Sequence, residues 1–403
     1  MHYLKWLRQR DGGVVRAVID LASLLAAQGD DVTILTCDDA DVPSLAPHPS
    51  VRIVRLRLTD PIARLKGSSA DAAEADTPTQ LIDGASRRAA ADALAHADVA
   101  HLHGVWTSST WQIASLARKA RVQYVVSAHG MLDDWCMAQG SSKKQLHLKL
   151  VSGRGLRAAR AVHCTARAEA DQVLRNVPGV NARVAALPFD ATEFLALDRA
   201  SARQALVQHF PNLESLNSDT PVVAFMSRLN VKKGVVPLIR AWDQVRIEQG
   251  PPPILLLAGP FDPPAYESTV RAAIDASAAR ESIHLLGMVS GSVRTGLLAA
   301  ADLFALPTSQ ENFGYVLLEA MASATPVLTT KAVDIWPELE SSGACTLIAP
   351  DQQAIAPAIA SLLRDRAALR ASGHAARAWA KAYSDPAALA CAYRSMYLGQ
   401  PPG

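Results

Sequence analysis

At 403 residues the chain exceeds what one hydrophobic core usually supports, so two domains are expected. Forty Lys and Arg against 38 Asp and Glu leave a formal charge of +2, which removes any global argument for a nucleic-acid partner. Cys37, Cys136, Cys164, Cys345 and Cys391 are odd in number and form no C-x-x-C pair, which argues against a disulfide framework or a zinc site and for a reducing, cytoplasmic setting.

The N-terminus lacks an apolar signal core, and no later run approaches the roughly 18 apolar residues of a membrane span, so any membrane contact is expected to be peripheral. Residues 2–7 can form a first strand, followed by a turn and by Gly12-Gly13. A helix is predicted over 14–28, with Val14, Val18, Leu21 and Leu25 on one stripe and Gly29 as its stop, then a strand over 32–36. Strand, glycine turn, helix and strand make a Rossmann-like opening, and Gly12 and Gly13 before a helix N-terminus let a backbone approach a diphosphate. Taken alone the glycines also fit a simple tight turn, and the G-x-G-x-x-G fingerprint is absent.

Asp39-Ala40-Asp41 is the one D-x-D near a strand end, and a polar turn explains it better than a metal site. Residues 40–98 are rich in Ala, Asp and Pro, with a strand over 51–58, a helix over 79–96 and a middle, 62–77, expected to be mobile. A strand over 99–103, a helix over 109–120 and a strand over 124–127 lead to His129, just past the carboxyl end of a parallel strand, where doubly wound folds place their ligands. A lone histidine there is also compatible with a structural role. Lys143, Lys144 and Lys149, continuing to Arg154, Arg157 and Arg160, make a basic amphipathic pattern suited to anionic lipid, an acceptor phosphate or plain solvent. A strand over 161–164, a helix over 166–174 and a strand over 184–186 close the first half, and Pro188 ends it. The domains are placed at 1–190, joined by a last helix within 386–403, and at 191–385.

The second half restarts with a strand over 222–225 and a helix running past Trp242 to about 247. Arg228 and Lys233 lie between them, where cations can clamp a diphosphate or simply occupy an exposed turn. Strands follow over 254–258, 283–286 and 303–306, the last short, apolar and bounded by Pro307. Glu311, Asn312 and Phe313 occupy the next polar turn, and a helix begins at Gly314, whose free amides suit a phosphate. Glu319 stands on that helix among Val316, Leu317, Leu318, Ala320 and Met321. A carboxylate buried there needs partners, and the paired hydroxyls of a sugar or ribose would supply them, unless Glu319 is an exposed surface residue.

Glu311 and Glu319 resemble the E-x7-E signature of the retaining family 4 glycosyltransferases, and 319 − 311 gives its spacing of eight. The resemblance extends to Gly12-Gly13-Val14-Val15-Arg16, to His129-Gly130-Met131-Leu132-Asp133-Asp134-Trp135, and to Arg228-Leu229 with Lys233-Gly234 downstream. It implies the GT-B architecture, an α/β fold of two Rossmann-like domains facing each other across a cleft. It also implies Glu311 and His129 as catalytic residues against the transferred sugar, with Glu319 on the ribose. Gly12, Gly13, Arg228, Lys233, Asn312, Phe313 and Gly314 would bind the donor's phosphates and sugar. The loop Gly287-Met288-Val289 would hold the base, and the last helix would cross back to the first domain.

The activity implied is transfer from a nucleotide-diphosphate sugar to a saccharide or lipid-linked acceptor, in the synthesis of cell-surface polysaccharide or glycolipid. No separate cofactor, no metal and no nucleic acid are expected, and the location would be cytoplasmic, at the inner face of an anionic membrane. A non-catalytic nucleotide-sugar-binding protein on the same fold is the alternative; a nicotinamide-dependent oxidoreductase lacks its fingerprint. Four departures stand out. The chain starts abruptly relative to the family pattern. Asp134 replaces a proline, which predicts a less rigid loop, and Ser227 replaces a glycine. Ala322-Ser323-Ala324 lacks the glycine that would cap the helix after Glu319.

Overall fold

A computed structural model describes residues 1–8, 12–60, 80–213, 216–247 and 250–401. They form two compact units, Met1–Pro188 with Asp385–Gly403, and Phe189–Ser384.

The N-terminal unit is built on β1 (His2–Tyr3), β2 (Thr33–Thr36), β3 (Arg52–Arg55), β4 (Leu58–Thr59), β5 (Leu81–Ile82), β6 (Val99–His103), β7 (Gln123–Ser127), β8 (Ala161–Cys164) and β9 (Ala182–Val184). Seven of them form one parallel sheet in the order β3-β2-β1-β6-β7-β8-β9, while β4 and β5 pair antiparallel beside it. Apolar clusters cover both faces, as parallel sheets require. Helix Gly13–Ala27 lays Val15, Val18, Leu21 and Leu25 against Ile34, Val125 and Ala161, and Tyr393 and Met396 of helix Pro386–Leu398 complete that cluster. Tyr3, Leu35, Leu102, Ile113, Val126 and Val162 belong to the cluster on the other side.

Several boundaries differ from the expected ones because tertiary pairing overrides local propensity. The first strand keeps its ladder for two residues only; beyond Tyr3 the chain follows β2 irregularly, through Leu4 N to Leu35 O and Cys37 N to Lys5 O. The run over 51–58 is split into β3 and β4. The helix expected from 79 starts at Gly84, where the Asp83 carboxylate accepts from the Ser86 amide at 2.7 Å, because Leu81 and Ile82 are taken by β5. The mobility expected for 62–77 falls outside the described residues. The basic segment forms helix Ser141–His147, one π turn at Leu148–Ser152 and helix Gly153–Ala158.

The C-terminal unit carries β10 (Val222–Met226), β11 (Ile254–Ala258), β12 (Ile283–Gly287), β13 (Leu303–Leu306), β14 (Val327–Thr330) and β15 (Cys345–Ile348), all parallel, in the order β12-β11-β10-β13-β14-β15. Every residue of β10, β11, β13 and β14 is buried, which explains their near-continuous apolar runs. At the amino end of this sheet the buried Asp302 carboxylate binds Arg203 at 2.8 Å and Arg366 at 3.3 Å, and accepts from the Val222 amide at 2.8 Å. The helix expected to reach 247 stops at Trp242. Strand order reverses at β10 and β13, so the crevice at their carboxyl ends is where a doubly wound sheet holds its ligand.

Candidate active site

In the C-terminal unit the loops after β10, β13 and β14 are tied together. The Lys232 carbonyl accepts from the Ser309 amide at 2.7 Å and the Thr308 hydroxyl at 2.9 Å. Gly234 has φ +74°, and a Cβ there would lie 2.1 Å from the Pro307 carbonyl oxygen, so only glycine lets the first two loops approach this closely. The Glu311 amide donates to Ala332 O at 3.1 Å, and the Asp334 amide donates to Glu311 O at 2.9 Å.

This bracing brings Lys233 and Glu311 together: the Lys233 ammonium donates to Glu311 Oε2. Asn312 Nδ2 donates to the Asp334 carboxylate at 3.0 Å, and Phe313 is buried edge-on to Tyr315. Gly314 is left-handed at φ +69° and caps helix Tyr315–Ala322, with space for an added Cβ limited by Glu311 Cγ at 3.1 Å. Arg228 is more exposed and pairs with Asp262 at 2.6 Å instead of joining the lysine.

Glu319 is buried, but its burial alone does not demand a ligand as the sequence suggested. Arg294 lies 3.5 Å from Glu319 Oε1, reaches Glu193 at 2.6 Å and stacks over Phe194. A cation from helix Gly291–Ala300 therefore offsets part of the desolvation of the carboxylate. In the same unit, Met288 of the loop after β12 is 76% exposed.

In the N-terminal unit Gly12 caps helix Gly13–Ala27 at φ +70°, and a Cβ at Gly12 or Gly13 would meet no atom of the described residues within 4 Å. His129, two residues beyond β7, adopts a left-handed φ of +50°, which costs about 1 kcal/mol for a non-glycine residue. The fully buried Glu169 holds it there. Its carboxylate accepts from the Gly130 amide at 2.6 Å and from the Thr165 amide and hydroxyl at 2.6 and 2.8 Å. His129 Nε2 faces His103 Nδ1 at 3.0 Å, and burial lowers the pKa of His129 to about 3, so the imidazole is uncharged at neutral pH.

Asp134, expected to loosen this loop, fastens it: its carboxylate takes Arg175 at 2.7 Å and Asn176 at 2.8 Å. Asp39 pairs with Arg55 at 3.3 Å, and its backbone carbonyl accepts from the Val42 amide, a polar-turn role.

Two family models match in succession, "Glycosyl transferase 4-like domain" over residues 12–190 and "Glycosyl transferases group 1" over residues 209–379. The D-inositol 3-phosphate glycosyltransferase of Nocardia farcinica is 27% identical over 386 residues, 93% of this chain and 82% of the relative. The alpha-maltose-1-phosphate synthase of Mycobacterium tuberculosis is 27% identical over 304 residues, 71% of this chain and 75% of the relative. Among solved structures, Anabaena HepE in complex with UDP and glucose aligns at TM-score 0.74 and 18% identity, covering 98% of this chain and 97% of that one. The chain belongs to the family 4 glycosyltransferases. Its fold class is GT-B.

Sequence reasoning about this glycosyltransferase missed Arg294, Glu169 and His103. Arg294 and Glu169 lie on helices whose apolar spacing marks them only as surface and core, so their partners become visible once the chain is folded. His103 carried a signal: with His101 it forms an H-x-H at the end of β6.

Proposed function

We propose that the protein transfers a sugar from a nucleotide-diphosphate sugar to a hydroxyl of a saccharide or lipid-linked acceptor, with retention at the anomeric carbon and without a metal ion. The observation that carries this reading is the Lys233–Glu311 pair at the strand-order reversal of the C-terminal unit, beside the helix start at Gly314. As the glycosidic bond breaks, negative charge grows on the departing diphosphate. An ammonium has three donors, of which Glu311 takes one, so Lys233 can serve a phosphate oxygen while it orients the carboxylate. Arg228 and the amides at Gly314 and Tyr315 add positive potential, a preorganised electrostatic contribution that needs no cation from solution.

Glu311 and the uncharged His129 then orient the sugar hydroxyls, and neither His129 nor its neighbours add positive charge near an anomeric carbon that is becoming cationic. The complex of the Anabaena neighbour with UDP and glucose supports a donor of this class. Lys233→Ala should lower turnover of a cleaved nucleotide sugar at least tenfold, read as released nucleoside diphosphate, with turnover indifferent to a chelator; wild-type turnover in the variant would remove the clamp.

For the acceptor side we propose an anionic membrane surface. Leu146 and Leu150 are 56% and 71% exposed among Lys143, Lys149 and Arg154, and no Asp or Glu occurs between Trp135 and Ala168. Vesicles containing phosphatidylglycerol should sediment the protein, and Leu146→Ser with Leu150→Ser should release it. Equal sedimentation with purely zwitterionic vesicles would sink this part.

A further inference from the structure

Beside the parallel sheet of the N-terminal unit lies an open pocket of about 310 Å³ whose wall includes none of the residues assigned above. Its volume is at the lower end for ligand pockets, which start at roughly 300 Å³, enough for one sugar-sized group. Thr59 of β4, Leu81 and Ile82 of β5, Asp83 and Arg87 at the start of helix Gly84–Ala95, and Gln112 of helix Ser108–Lys119 line it.

Topology puts this pocket at the carboxyl end of the sheet. All seven strands of the sheet run parallel, β4 continues from the carboxyl end of β3, and helix Gly84–Ala95 carries the chain back toward the amino end of β6. Helix Ser108–Lys119 begins in the connection after β6, while His129 belongs to the connection after its neighbour β7. Pocket and His129 therefore share the end of the sheet at which such folds hold their ligands.

Two of the polar side chains are pinned and still have capacity. The Ile82 amide lies 2.7 Å from the Gln112 side chain; an N–H only donates, so the atom facing it is the oxygen Oε1, and the Nε2 donors make no hydrogen bond among the described residues. The Ser86 amide donates to Asp83 Oδ1 at 2.7 Å, and the hydrogen bonds from Ser86 lower the Asp83 pKa, so the carboxylate is ionised at neutral pH. An ionised carboxylate accepts about four hydrogen bonds, so further donors can be taken. Neither the Thr59 hydroxyl nor the Arg87 guanidinium has a hydrogen-bond or ion-pair partner among the described residues, although Arg87 stands one helical turn after Asp83.

One concavity thus gathers an amide donor, a carboxylate acceptor, a hydroxyl and an unpaired cation around the apolar Leu81 and Ile82. A sugar hydroxyl is donor and acceptor at once and satisfies the first two together, the C–H face of the ring suits the apolar wall, and the fork of a guanidinium matches a carboxylate or a phosphate. We propose that this pocket binds one sugar residue that carries an anionic group, with Gln112 and Asp83 on its hydroxyls and Arg87 on its anion. That the acceptor presents this residue rests on the proposed transfer reaction; the binding stands or falls without it.

Methyl NMR of the full-length protein, labelled at Ile and Leu, reads the pocket through Leu81 and Ile82, with glucuronic acid, glucose 6-phosphate, glucose and inorganic phosphate as probes. At least one charged sugar should shift these methyls at a concentration where glucose shifts them little, and the one that does so identifies the anion. Unmoved methyls with both charged sugars would overturn the proposal, as would inorganic phosphate acting as strongly as the sugars, which marks a bare anion site. Arg87→Ala, at an exposed position, should weaken the charged sugar about tenfold, toward the affinity of glucose. Gln112→Glu keeps an oxygen for the Ile82 amide but loses the free donors, and it should weaken binding about tenfold as well. Wild-type affinity in both variants would end the assignment. Release of nucleoside diphosphate from a nucleotide sugar, measured on the same samples, tests the transferase reading separately: shifted methyls without release would leave the pocket standing and remove its role on the acceptor.

Discussion

Ala324 ends helix Tyr315–Ala322 in a conformation that favours glycine. Its φ is +58°, the Ala324 amide donates to Met321 O at 3.0 Å, and the Thr325 amide donates to Ala320 O at 2.9 Å, the paired bonds of a Schellman cap. Without a glycine this helix end was expected not to use the left-handed cap easily; the fold nevertheless imposes it on alanine, at about 1 kcal/mol. Gly373 makes room for it, since a Cβ there would lie 2.2 Å from Ala324 O. Ala324→Gly should raise stability by about 1 kcal/mol, visible as a thermal midpoint a few degrees higher. Arg294 is the converse case, a residue whose removal leaves Glu319 short of a partner. Arg294→Ala should cost about 1–3 kcal/mol in a urea titration and weaken nucleotide binding, if Glu319 holds the ribose.

Among the elements, helix Arg167–Asn176 sets the loop that carries His129, because Glu169 in its first turn collects three donors from two other segments. Glutamine at this position has one acceptor oxygen and a donor amide, so at least one buried N–H would face another donor. Glu169→Gln should destabilise the protein by about 2 kcal/mol. It should also lower kcat by letting His129 leave its left-handed conformation. Restored turnover at full substrate would show that the loop closes without the carboxylate. The loops after β10 and β13 are held differently: the Lys233–Glu311 pair joins them, and Gly234 against Pro307 provides the close fit.

At the scale of the molecule, the histidines divide the two units. His2, His101, His103 and His163 are buried and, with the partly buried His129, pushed down in the N-terminal unit, whereas only the half-buried His284 is shifted in the C-terminal unit among the described residues. A histidine whose folded pKa is depressed binds its proton in the unfolded chain first. Stability is therefore full above the unfolded value near 6.5 and falls as pH drops toward the folded values, about 4 for His163 and about 3 for His129. Each such histidine contributes a slope of up to about 1.4 kcal/mol per pH unit. The N-terminal unit should accordingly unfold first on acidification from pH 6.5, and hydrogen exchange at pH 5 should open β6, β7 and β8 before β10 and β13. The reverse order would show that the histidine cluster is protonated in the fold.

How much of this was legible depends on the range of the interaction involved. Strand β13, the glycine before the helix, the eight-residue spacing of Glu311 and Glu319, and the Lys-Gly pair after β10 are local patterns. Periodicity and turn chemistry act within a few residues, so the chain alone determined them, and with them the class of fold and the enzyme family. The partner of Glu319, the carboxylate that holds His129 and the alanine forced into a glycine conformation were decided only by the tertiary structure. Each joins groups distant in sequence, and whether a buried charge or proton is tolerated depends on what packs beside it, which no local spacing encodes.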